Sequence, residues 1–227
     1  MSDPLAQTRR AWHGVAELVL AGPQVRATDH LRLHVVPGGF AAAYLPALRV
    51  ELTELVAGGR GIGQVSRIGL DGRTPAELAA AAGVEVGAPE GRYPAGCGVD
   101  PQEVLHVDRD AASHLAGCLT RGEEALRRFA GAAQPPLWPE HFDVGVSLDE
   151  INYGVSLGDV YVAEPYAYVG PWRRREGSFW NAGFGGAARP LRELADVDAI
   201  IAFFAEGRDV AATTPPADPV TQPQRPQ

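Results

Sequence analysis

The chain has 227 residues, 45% hydrophobic and 21% charged, with a formal net charge of −8; it is long enough to bury a core without disulfides or metals, and its acidity argues against a nucleic-acid partner. All 20 basic residues are arginine, which excludes a Schiff-base lysine, a P-loop lysine and a Ser–Lys dyad. Cys97 and Cys118 are too few for a disulfide framework and read as free thiols.

In chain order, residues 8–21 are expected to form a helix. Trp12, Val15, Ala16 and Val19 recur at helical spacing, Thr8 can cap the start and Gly22 can end it. Residues 30–36 alternate, with Leu31, Leu33 and Val35 on one face, and Pro37-Gly38-Gly39 turns the chain into a partner strand over 40–45. A third strand follows at 48–53 and a fourth around Val65 and Ile68. Thr74, Pro75 and Glu77 then mark a helix start with a capping box. Residues 84–108 lack regular pattern, and a loop of that length is often functional. A long helix is expected at 110–130, with Leu115, Leu119, Leu126 and Phe129 on one stripe, then strands at 141–148, 151–157 and 165–170, and a last helix near 196–208. Residues 1–212 are read as a single domain and 213–227 as a disordered Pro-rich tail. Strands grouped in hairpins argue for an α+β fold with a mainly antiparallel sheet of about six strands.

The N-terminal MSDPLAQTRRAW has no apolar signal core, and no apolar run approaches the ~20 residues that span a bilayer. A cytoplasmic protein without a membrane or nucleic-acid partner is the expectation. Arg173-Arg174-Arg175 reads as a solvated loop. The oligomeric state is left open.

The stretches Trp138-Pro-Glu-His-Phe142-Asp143, Glu164-Pro-Tyr166-Ala-Tyr168, Phe179-Trp180-Asn181 and Ile201-Ala-Phe-Phe204 resemble in layout a group of bacterial proteins catalogued only as a domain of unknown function. That family carries a longer insert between the first two motifs. The resemblance implies a helix, a β-meander, further strands and a C-terminal helix. It implies no function.

Most of the aromatic residues fall in 138–184, interleaved with carboxylates. Aromatic walls with a few polar groups suit a small ligand, and they also suit a core. Trp138, Glu140, Asn152, Tyr153, Glu164, Tyr166, Tyr168, Trp172 and Trp180 are the candidate ligand residues. His141 and Asp143, two apart on an expected strand, are the catalytic candidates, and with Glu164 they are candidate metal ligands. Asn152, Gly154 and Ser156 form a small polar strand face that leaves room for a ligand. His114 and Cys118 share a helix face, with Cys118 read as a buried small hydrophobe, and Cys97 reads as an incidental thiol. The glycine strings 58–63 and 183–187 lack the strand–turn–helix context of a dinucleotide site, so no cofactor is expected. The reading is small-ligand binding, with an enzymatic role left open. The alternatives are a non-catalytic interaction module and a metal-assisted hydrolase built on His141 and Asp143.

Overall fold

Asp3 starts the first helix in the computed structural model, which describes residues 3–58, 65–94, 96–131 and 134–216. Its carboxylate accepts the Leu5 N–H at 3.0 Å, and Pro4 occupies the first turn. The segment runs on as α1 (Pro4–Val15), a π-helical turn (Ala16–Ala21) and α2 (Gly22–Thr28), ending at Asp29 in the left-handed region at φ 63°. Gly22 therefore does not terminate the helix as expected. It is the point where another backbone passes: a Cβ there would collide with the Gly87 carbonyl oxygen.

That passing backbone is the patternless segment 84–108, which lies along the helical segment in reverse order. The Gly87 N–H donates to the Leu18 carbonyl at 3.0 Å, and the Cys97 N–H to the Glu17 carboxyl at 2.6 Å. A Cβ on Gly14 would meet Val99 at 2.9 Å. Arg10 donates to the Gly98 carbonyl and pairs with Glu103, both at 2.7 Å. The Asp108 N–H reaches the Thr8 hydroxyl at 3.0 Å. The long loop is thus a strap: among the described residues, Gly87, Cys97, Gly98 and Asp108 bond to the helical segment, while Pro101, Leu105 and Val107 bond to residues 71–76.

A paired substitution tests this reading of glycine. Gly22→Ala should cost about 3 kcal/mol by forcing the strap off the helix. Gly117→Ala should stabilise by about 1 kcal/mol, because Gly117 is an exposed helical glycine with nothing within 4 Å of its would-be Cβ. Urea denaturation of the two variants reads the contrast directly, and equal effects would contradict the account.

The chain divides into two units: Met1–Thr120 with Pro136–Asp143, and Arg121–Pro135 with Val144–Gln227. In the first, β1 (Leu33–Val36), β2 (Gly39–Ala42), β3 (Leu48–Glu51), β4 (Glu54–Ala57), β5 (Ser66–Gly69) and β6 (Pro136–Trp138) stand in the order β6-β1-β2-β3-β4-β5. Each of these neighbouring pairs is antiparallel. Trp12 anchors the core of this unit: it is fully buried, donates Nε1–H to the Leu52 carbonyl at 3.1 Å, and meets Phe40 edge-on at 5.5 Å. Gln24 is buried but satisfied, donating to the His30 and Arg32 carbonyls and accepting from the Tyr44 N–H. Helix α3 (Pro75–Ala81) starts with the expected capping box.

The second unit holds the end of α4 (Arg109–Ala130), the strands β7 (Asp143–Leu148), β8 (Ile151–Ser156), β9 (Tyr166–Pro171) and β10 (Ala187–Pro190) in the order β10-β9-β8-β7, and α5 (Val197–Thr213). Its inner sheet face carries Ile151, Tyr153, Val155, Ala167 and Val169, all buried. Phe129 of α4 and Phe204 of α5 close on Tyr153 at 4.9 and 5.8 Å. Gly122 and Gly207 bring the helix backbones close to the sheet: a Cβ at either would meet Val155 or Val169 at 2.7 Å.

The fold is α+β and antiparallel, with ten strands instead of about six. The three unexpected strands, β4, β6 and β10, are short and carry weak patterns. Helix α5 extends to Thr213, past the expected boundary of the tail, and residues 217–227 of that tail and 59–63 of the first glycine string lie outside the described residues. Among the described residues no helix is long and apolar enough to cross a membrane.

Candidate functional site

The alternation expected for His141 and Asp143 breaks at Phe142. Strand β7 begins only at Asp143, His141 lies in the preceding turn, and Phe142 has a φ of 50°. A left-handed residue between them rotates the two side chains apart. The His141 side chain is 52% exposed, whereas Asp143 is buried. His141 has Glu140 beside it at 3.8 Å. Among the described residues no group of three or more His, Cys, Asp or Glu is placed to hold a metal ion.

The small polar face of β8 is also not a hollow. Gly154 stands opposite Tyr168 of β9, and the Tyr168 ring lies where a Gly154 Cβ would be. The aromatic ring fills the space that the glycine leaves. Tyr153 is core, and Tyr166 is buried with its hydroxyl on Asp159 at 2.7 Å. Glu164 pairs with Arg192, and the Trp138 ring has Arg32 over it at 5.2 Å. Of the candidate ligand residues, Asn152 and Trp172 are brought into direct contact, the Trp172 Nε1–H donating to Asn152 Oδ1 at 3.0 Å.

A concave site does exist in the second unit, on the inner side of β10. A cleft of about 510 Å³ is lined by the 176–181 loop, by Arg189 of β10 and by Phe203, Glu206 and Val210 of α5. Asn181 shapes one wall: its side chain exchanges two hydrogen bonds with the Ala188 backbone, at 2.9 and 3.2 Å. Arg189 lies over the Phe203 ring at 4.7 Å and meets Glu206 through one contact at 3.3 Å. Among the described residues, most of its five N–H donors have no protein acceptor. Phe179 lies 5.7 Å from Phe203, and the adjacent Trp180 has its Nε1 buried without a protein partner among the described residues. Arg175 ties the loop to the end of α5 through the Thr214 carbonyl.

Comparison with protein-family models, curated proteins and solved structures finds no match. The site must therefore be read from its own chemistry.

The first unit carries a second concentration of titratable groups. Glu17, on the π-helical turn, is 2% exposed. Its pKa is raised above the usual carboxylate value by burial, against the Cys97 N–H that favours the charged form. Burial likewise raises Tyr93, whose hydroxyl has no partner among the described residues, and pushes the Cys97 thiol up to about 12. A thiol so placed is protonated at neutral pH and is a poor nucleophile. One turn before Glu17, His13 stacks on Phe142 at 5.3 Å and donates Nε2–H to the Pro139 carbonyl at 2.8 Å. Burial pushes it down to about 4, with the nearby His141 adding to the effect.

Neither Glu17 nor Arg189 stands out by motif. The signal for Glu17 was a single carboxylate inside the apolar run Val15–Ala21. Arg189 carried no comparable signal, because its partners lie on a helix 14 to 17 residues further on.

Proposed function

We propose that the protein binds a small zwitterionic ligand of the amino-acid or dipeptide class in the cleft of the second unit. The observation that carries this reading is the charge arrangement around an apolar floor. One guanidinium, Arg189, and two carboxylates, Glu176 and Glu206, line the same cleft as Phe179 and Phe203. A simple anion would meet two carboxylates, and a simple cation would meet the arginine. A molecule with both charges a few bonds apart satisfies each: its carboxylate on Arg189, its ammonium on Glu206, and its side chain against Phe179. The volume lies within the range of small-molecule sites.

The test is a thermal-shift panel of the common L-amino acids and simple dipeptides. At least one should raise the melting temperature of the wild type. Arg189→Met keeps an unbranched apolar side chain on β10 but removes the guanidinium that lies over Phe203, and should lose that shift by weakening binding about tenfold or more. A shift that persists unchanged in Arg189→Met would place the ligand elsewhere.

A further inference from the structure

The opposite, outer face of the second unit carries a different arrangement, independent of the cleft. Trp172, just beyond β9, is 54% exposed, yet it is held at two points. Its backbone N–H donates to the Glu150 carbonyl at 2.9 Å, and its indole Nε1–H to Asn152 Oδ1 at 3.0 Å. Ser147 donates to the same oxygen at 2.6 Å. An indole N–H can only donate, so the Oδ1 end of Asn152 is fixed toward Trp172, and the two Nδ2 hydrogens have no protein partner among the described residues. Gly170 stands opposite Asn152 in the β8–β9 register and puts no side chain beside it. The two-residue β7–β8 connection, Asp149-Glu150, has φ values of 50° and 62°. A hairpin of this kind favours Asn-Gly, whereas here two exposed carboxylates occupy it.

We infer that this face is a carbohydrate-binding site, with Trp172 as the platform for a pyranose ring. An exposed Trp fixed in place gains contact area on binding without ordering a loose side chain. The C–H face of a pyranose is apolar and matches the negative face of an indole. The ring's hydroxyls both donate and accept, and the site offers both complements within one hairpin: amide donors on Asn152 and acceptor carboxylates on Asp149 and Glu150. A flat apolar ligand would leave those polar groups unused, and Arg173, 4.0 Å from the Glu150 carboxylate, offsets only one of the two negative charges.

The experiment is a titration of the uniformly ¹⁵N-labelled full chain with methyl pyranosides of glucose, galactose and mannose, in both anomers. The Trp172 indole N–H is assigned by its loss in Trp172→Phe. At least one glycoside should move that resonance and the Asn152 side-chain amide in a saturable way. Trp172→Ala should weaken binding tenfold or more. Asn152→Asp retains the acceptor for Trp172 and removes the amide donors, and should also weaken it about tenfold. Because Trp172 is more than half exposed, the amide spectrum of Trp172→Ala outside the hairpin should be that of the wild type. If no glycoside moves the indole resonance, or if both variants bind as tightly as the wild type, the site is overturned.

Discussion

Glu17→Gln should be more stable than the wild type at pH 8 and equal to it near pH 4.5, whereas Glu17→Ala should lose about 2 kcal/mol at the lower pH. Glu17 is buried on the π-helical turn, with the Cys97 N–H as donor and no cationic partner among the described residues. Burying an ionised carboxylate without a countercharge is costly. The sign follows from its raised pKa. A carboxyl whose pKa is higher folded than unfolded carries no penalty below the unfolded value of 4.5, where it is protonated in both states. The penalty grows as pH rises through the folded value. Glutamine accepts the same N–H at every pH and escapes that penalty. Alanine removes the acceptor, leaving the Cys97 N–H buried and a gap beneath the strap. Urea denaturation of the three proteins at the two pH values decides the matter. If Glu17→Gln is destabilising at both, the carboxylate is compensated in a way this account lacks.

His13 should impose the opposite slope. Its folded pKa of about 4 lies below its ordinary value of 6.5, so its contribution to stability is complete above pH 6.5. That contribution is lost as pH falls through the folded value. The full difference corresponds to about 3 kcal/mol, and the partial exposure of the ring reduces it to about 2 kcal/mol. His13→Phe should keep the stack on Phe142 and abolish this acid-dependent loss, at the cost of about 1 kcal/mol for the bond to Pro139. Because Glu17 acts in an overlapping window with the opposite sign, the comparison is cleanest in the Glu17→Gln background. An unchanged acid slope in the double variant would assign the effect to another group.

These two residues also mark where sequence periodicity stops being informative. Wherever a segment buried one face against its own neighbours, the pattern sufficed: the capping box at Thr74 and the stripe of α4 appear as expected, and the expected hairpin forms, with Gly39 paired to Val36 instead of in the turn and the return strand ending at Ala42 instead of Leu45. What failed depended on a partner distant in sequence. Gly22 read as a helix stop because the Gly87 carbonyl, 65 residues on, was invisible. The strap read as a long loop without regular pattern because its hydrogen bonds go to residues distant in sequence, on the first helical segment and in 71–76, instead of to a ladder. Strand β10, Ala-Ala-Arg-Pro, has little strand propensity and is ordered by its pairing with Tyr166–Val169. The period of two led the His141–Asp143 reading astray, since one residue at positive φ, Phe142, resets it. The small face of β8 was legible as small, but not as the seat of the Tyr168 ring. The aromatic concentration in 138–184 contributed to both core and surface: Tyr153 faces the helices, while Trp172 faces solvent.

The most direct test of the cleft as a ligand site is a ¹⁵N–¹H titration with L-phenylalanine, alongside phenethylamine, which keeps the ring and the ammonium but lacks the carboxylate. The amides of Ser178, Phe179, Arg189 and Glu206 should shift saturably with the amino acid, at about millimolar affinity. The amine should produce none of comparable size, and Arg189→Met should remove the difference between the two. Cleft resonances that stay fixed with L-phenylalanine, or that move equally with the amine, would contradict this reading of the cleft.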